Sequence, residues 1–286
     1  MIERMSCAGV ALFACLLSAP GSAQVESPAP APRAAVRAAL GEARGLAALA
    51  RRQMGPARSR ALEQAAAAYD RCVARFEATP AVAAFAAWSA AELWRRHGSM
   101  LLAEKDYLHA ARWDPRRYGQ RGLLGAADMQ RRQRRPEDAR KTYREAERID
   151  PRTGYAHRAR LWLARMLQAD GELDRAIEGY QAALESAPTP RRAVEVADLL
   201  AKAWIAKGDL ESAGFVLEHV EQLVRDAGSQ NDRESEWLRR ASREMPARKA
   251  LQRALDKVRD AGGDAVRLDD HLRRRRLQAA LASGAC

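Results

Sequence analysis

Gly98-Ser-Met-Leu-Leu-Ala103, Pro136-Glu-Asp-Ala139, Gly171-Glu-Leu-Asp-Arg-Ala176 and Gly208-Asp-Leu-Glu-Ser-Ala213 each end on an alanine, and those alanines are 36, 37 and 37 residues apart. Four residues after them stand Tyr107, Tyr143, Tyr180 and Leu217, and seven after them Ala110, Ala146, Ala183 and Val220. Pro115, Pro151 and Pro188 close the first three units, and twelve residues before each alanine lies another: Ala91, Ala127, Ala164 and Ala201. A helix that crosses a second one closely needs a small residue at the crossing, which both sets of alanines supply. The tyrosines predict filled seams between neighbouring units. Gly98, Gly171 and Gly208 suit a left-handed turn between the two helices. Proline ends the second helix because it clashes with the preceding turn and has no N–H to give.

These residues resemble the tetratricopeptide repeat, a helix–turn–helix unit with a period of about 34 residues. The resemblance runs from about Ala84 to Ala227, with Asp114-Pro115 and Ile149-Asp-Pro151 close to the family's closing segment. The longer spacing implies extra residues in the turns. The family's large fourth residue is here Ala87, Leu123, Arg160 and Ala197, and Gln130 stands where an aromatic or leucine is usual. That glutamine predicts a one-residue shift of the second unit's first helix.

The expected fold is therefore all-α, a right-handed solenoid of helix–turn–helix repeats with flanking helices. Composition agrees. Hydrophobic residues make up 47% of the 286, enough for a long core, while aromatics are only 6%. Alanine, the best helix former, is plentiful. The expected divisions are a signal peptide over 1–23, a Pro/Ala-rich tether over 24–33, a helical pair over 34–80 and four repeats over 81–227. A degenerate repeat and a capping helix follow over 228–286. In that fifth unit Trp237 falls in the first helix and Pro246 starts the second, with Ala250 in the alanine position.

The signal peptide is read from the apolar run Cys7 to Leu17 and the small residues Gly21 and Ala23 after it. A run that short cannot span a bilayer, which needs about 20 residues. The expectation is export to the periplasm or beyond, with cleavage after Ala23. Phe13 and the early position of Cys15 disfavour a lipoprotein. Cys72 and Cys286 remain in the mature chain, where both a pair and two free thiols are open.

Nothing points to catalysis. The histidines, at 97, 109, 157, 219 and 271, form no zinc-protease helix, and there is no Gly-rich phosphate loop, nucleophile elbow or Cys-x-x-Cys pair. Asp269-Asp270-His271 lacks the convergent spacing of metal ligands. No cofactor or metal is expected, and the chain reads as a binding protein and not an enzyme.

The net charge is +12, and arginine supplies 43 of the 49 basic residues. Such a surface favours anionic partners, although charge runs also simply solvate helix faces. Export disfavours nucleic acid, and no aromatic residues interleave the run Arg273, Arg274, Arg275 and Arg276, a candidate contact for an anionic surface.

The resemblance implies that positions two, five, nine and twelve of each first helix line a concave groove. That stripe contains Trp88, Arg121, Leu124, Arg131, Arg158, Leu161, Arg165 and Lys202 as candidate partner-binding residues, with Glu92, Asp128, Glu195 and Asp198 among them. Four arginines against one aspartate in the middle repeats, with two leucines as apolar anchors, would suit an acidic peptide or protein. Trp88, Glu92 and Asp128 stand where the family's chaperone-tail clamp has Lys and Asn, so that clamp is not implied. Two alternatives stay open: a non-catalytic subunit of an envelope enzyme complex, and a binder of polyanions or anionic surfaces.

Overall fold

The computed structural model describes residues 32–227 and 233–260. The signal segment, most of the tether, Asp269 to His271, Arg273 to Arg276 and Cys286 lie outside these residues. Among the described residues there are twelve α-helices and no strand. They are α1 Arg33–Arg52, α2 Gly55–Arg75, α3 Pro80–His97, α4 Met100–Trp113, α5 Gln120–Arg132 and α6 Pro136–Ile149. Then come α7 Gly154–Ala169, α8 Leu173–Glu185, α9 Pro190–Lys207, α10 Leu210–Ala227, α11 Arg233–Arg243 and α12 Pro246–Asp260.

From α1 to α10 every helix packs on the next one in the chain, the arrangement of a solenoid in which each unit touches only its neighbours. The resemblance holds at this level: the fold is an all-α, tetratricopeptide-like solenoid. Its crossings are where the spacing puts them. Ala91, Ala103, Ala127, Ala139, Ala164 and Ala176 are all 0% exposed, as are Ala201 and Ala213. Tyr107, Tyr143 and Tyr180 are at most 1% exposed. Tyr107 of α4 fills the seam to the next repeat: a Cβ placed on Gly125 of α5 would lie 2.9 Å from its ring.

The turns follow the glycines, with φ of 101° at Gly98, 82° at Gly171 and 87° at Gly208. The second repeat has no glycine there, and Arg134 takes the left-handed conformation instead, at φ 59°. The same repeat is irregular at its start. One π-helical turn over Pro115–Gly119 precedes α5, and Asp114 accepts from the Arg117 amide at 3.0 Å. That turn takes up the irregularity, so Ala127 keeps its crossing and no one-residue shift is needed. Gln130 is buried and donates to Glu104 of α4 at 2.9 Å. Gln133 and Arg135 donate to the same carboxylate at 2.7 and 2.8 Å. A polar network that satisfies the buried Glu104 carboxylate thus replaces the expected apolar contact, with Gln130 Oε1 left unpartnered among the described residues.

The chain departs from the repeat at its end. α11 and α12 do not pair with each other as a fifth hairpin; both pack back on α9 and α10. The N-terminus of α12 docks on the first-helix face, where the Ala247 amide donates to Asp198 Oδ1 of α9 at 2.8 Å. Arg248 holds the other side through the Leu217 carbonyl at 3.0 Å and Glu221 at 3.2 Å. The physical reason is visible in the sequence at Ala254. A small residue stands where a large one would fill the seam, so stacking on as another repeat leaves that seam open.

Candidate partner-binding groove

The first helices α3, α5 and α7 present one continuous face, as contacts between them show. Arg121 of α5 lies between two rings, 4.5 Å from the Trp88 indole of α3 and 4.0 Å from Tyr118. Arg158 of α7 pairs with Asp128 of α5 at 3.2 Å. Arg131 of α5 lies 3.8 Å from the Trp162 indole of α7, and Arg165 lies 4.9 Å from the same ring.

The acidic members of the stripe are already engaged. Tyr107 donates its hydroxyl to Glu92 at 2.6 Å, and Tyr143 donates to Asp128 at 2.5 Å. In the third repeat Tyr180 donates to Gln168 at 2.6 Å. The seam tyrosines therefore also tie each second helix to the groove wall. Burial, with the nearby carboxylates, pushes Tyr107 and Tyr143 well above the ordinary phenol range, so both stay donors. Burial alone would raise the Glu92 carboxyl too, but Arg95 and Tyr107 donate to it and hold it below its ordinary value. The sequence carried a signal for this: tyrosine and acceptor are 15 residues apart in both of the first two repeats.

The leucines need correction. Leu124 is 2% exposed and packs into the core with Ala127, Ala139 and Tyr143, so it offers no open anchor. Leu161 is 8% exposed and serves mainly the core, with one edge in the cavity described next. Position five sits at the margin of the stripe. A first helix flanked by neighbours on both sides turns that margin inward. Arg121, Arg131 and Arg165, at positions two, twelve and nine, reach out on long stems over the aromatic rings.

A cavity of about 860 Å³ opens where α7, α9, α11 and the start of α12 meet. Its walls carry Arg158, Arg165, Arg192, Lys202 and Arg240 against Glu195, Asp198 and Glu244. Several of these charges pair locally: Arg192 with Glu195 at 2.6 Å, Lys202 with Asp198 at 2.5 Å and Arg240 with Glu244 at 3.0 Å. Arg131 and Arg165 differ. Among the described residues neither makes an ion pair; both lie against the Trp162 ring, Arg131 also reaching the Tyr143 hydroxyl and Arg165 lying near Tyr180. Trp237 of α11, with Arg191 4.5 Å from its ring, forms the far wall. The spacing of Trp162 and Trp237 suggests core or groove wall, but reading the repeats alone overlooked Arg192 and the packing of α11 beside this site, because both lie outside the stripe.

No family model matches the sequence, and no curated protein does. Solved structures do. BtubC (BKLC) from P. vanneervenii has a TM-score of 0.51 at 16% identity, over 69% of this chain and 92% of that one. YrrB, a TPR protein with an unusual peptide-binding site, has a TM-score of 0.45 at 18% identity, over 69% and 87%. MamA from Desulfovibrio magneticus RS-1 has a TM-score of 0.47 at 17% identity, over 66% and 97%. The likeness to BtubC bears on the fold alone.

Proposed function

We propose that this chain is an exported, non-catalytic scaffold that holds a protein partner on its first-helix face, the partner laying an acidic segment over Arg131 and Arg165. One observation carries the reading. Two guanidinium groups share the Trp162 indole with no carboxylate paired to either, and that indole and Arg165 line a cavity with an excess of basic side chains. Stacking on an indole contributes ~0.5–2 kcal/mol per cation and fixes the fork before a ligand arrives. A carboxylate then meets two parallel donors without first ordering a flexible side chain.

Charge alone would bind weakly, since exposed pairs contribute only ~0.2–1 kcal/mol each. The apolar contact must come from Trp162, Leu199 and Trp237 on the cavity wall, because Leu124 is withdrawn into the core. A partner identified from envelope extract is expected to lose affinity strongly for the Arg131→Glu/Arg165→Glu protein, with circular dichroism unchanged. Reversing Arg144 and Arg148, exposed on the second helix α6, is the control and should leave affinity nearly intact. Equal loss from both pairs would favour the polyanion reading, in which total charge matters and the groove does not.

Export rests on Cys7 to Leu17 and Gly21-Ser-Ala23. Mass spectrometry of the protein from its native host should place the mature amino terminus at Gln24. An intact Met1 would remove the export half of the proposal and leave the groove half standing.

A further inference from the structure

We propose that a second, smaller pocket, of about 260 Å³ at the start of α7, is a phosphate-monoester site built from Arg158, Arg192, His157 and the first amides of α7. It stands apart from the groove reading. Arg158 and Arg192 border both cavities, but His157, Thr153 and the helix start belong only to this one.

The helix start supplies free donors. Thr153 caps α7, accepting from the Ala156 amide at 3.1 Å through Oγ1 and from the His157 amide at 3.1 Å through its carbonyl. The Gly154 and Tyr155 amides have no acceptor among the described residues. They sit at the positive end of a helix of 16 residues, where anions are favoured.

The second, independent observation is His157. The residue lines the pocket and is 1% exposed, and neither ring nitrogen has a hydrogen-bond partner among the described residues. The Ala183 carbonyl lies beside the ring and slightly favours its charged form, without ordinary hydrogen-bond geometry. Burial first, and the Arg192 charge second, push the imidazole below its ordinary pKa. A buried imidazole left unpaired in positive surroundings is costly, and a bound anion would supply both the missing acceptor and the missing charge.

The donor count selects the ligand. Arg158 spends Nη2 on Asp128 and Arg192 spends Nη1 on Glu195, which leaves the remaining N–H groups of each fork. No carboxylate lines the pocket. Two forks, one imidazole N–H and two amides exceed what the two oxygens of a carboxylate accept. They suit the three terminal oxygens of a phosphate ester.

The test is calorimetric titration of the full mature chain with inorganic phosphate and, separately, glycerol 3-phosphate, with the His157 ring followed by NMR. Saturable binding is expected, with the His157 pKa rising as the ligand is added. Binding of phosphate alone would assign the site to the free ion, and binding of both to an ester headgroup. Arg192→Gln, at an exposed position, should lower affinity about tenfold. Arg131→Gln, which bears on the groove, should leave it unchanged. If His157→Gln fails to fold, the Arg192 variant still decides. No saturable binding of either ligand, or binding indifferent to Arg192→Gln, overturns the site and leaves the groove reading untouched.

Discussion

Replacing Asp106 with asparagine should flatten the pH dependence of this protein's stability and make the variant the more stable of the two in alkaline solution. Asp106 of α4 is 3% exposed, and the carboxylate it faces is Asp70 of α2. Trp94 of α3 already donates to Asp70 Oδ2 at 3.1 Å, so that residue is held as the acceptor where three helices meet. Burial first, then the Asp70 charge and the hydrogen bond to it, push the Asp106 pKa up to about 8. The protonated Asp106 therefore donates to Asp70 at neutral pH.

The sign follows from linkage. In the unfolded chain the same group releases its proton near pH ~3.9. Between there and about pH 8 the native state holds a proton that the unfolded state does not. Stability from this site is fully present in acid and is lost as pH rises through that window, by up to ~1.4 kcal/mol per pH unit. Asparagine keeps a donor toward Asp70 and cannot titrate. The two proteins should unfold at similar temperatures below pH ~4 and diverge steadily towards pH 8. His109 and His157 have lowered pKa values, chiefly through burial, and contribute the opposite slope in both proteins. A difference that stays constant with pH would show that Asp106 is ionised in the fold.

The second large effect is expected at Gly122. A Cβ built there would lie 2.7 Å from the Tyr107 carbonyl oxygen and 3.0 Å from Ala111 Cβ. The first contact is backbone, so no side-chain rotation relieves it. Gly122→Val should force α4 and α5 apart and cost ~1–3 kcal/mol or more. Gly45, inside α1, is the contrast, with nothing within 4 Å of its added Cβ. There Gly45→Ala should stabilise by ~0.5–1 kcal/mol, since alanine loses less conformational freedom in a helix. Both follow from chemical denaturation read by circular dichroism. Gly122→Val leaving the unfolding midpoint where it was would mean that the two helices do not cross at this residue.

Much of the architecture was legible before any coordinates. The 36- and 37-residue spacing located eight alanines that are all fully buried, and the glycines announced three of the four left-handed turns within the repeats. Arg134 hid the fourth, because nothing in its chemistry marks a positive φ. Gln130 looked like a defect in the repeat and is half of a buried hydrogen bond whose other half, Glu104, lies 26 residues away.

By itself, then, the sequence determined the period, the helix crossings and the filled seams. These depend on residue size at fixed spacing along a helix, and size is written in the residue itself. Only the tertiary structure decided which stripe residues meet solvent and which cations keep a free face. Leu124 and Arg121 belong to the same stripe, yet one is core and the other lies over Trp88. Arg158 is tied to Asp128 while Arg165 is left on Trp162. The buried pairing of Asp70 with Asp106 and the retreat of α12 onto Asp198 are of the same kind. Each depends on the rotation of one helix against another, which sets distances between residues far apart in the chain. Helical periodicity fixes a direction around one axis and says nothing about what the neighbouring axis places opposite.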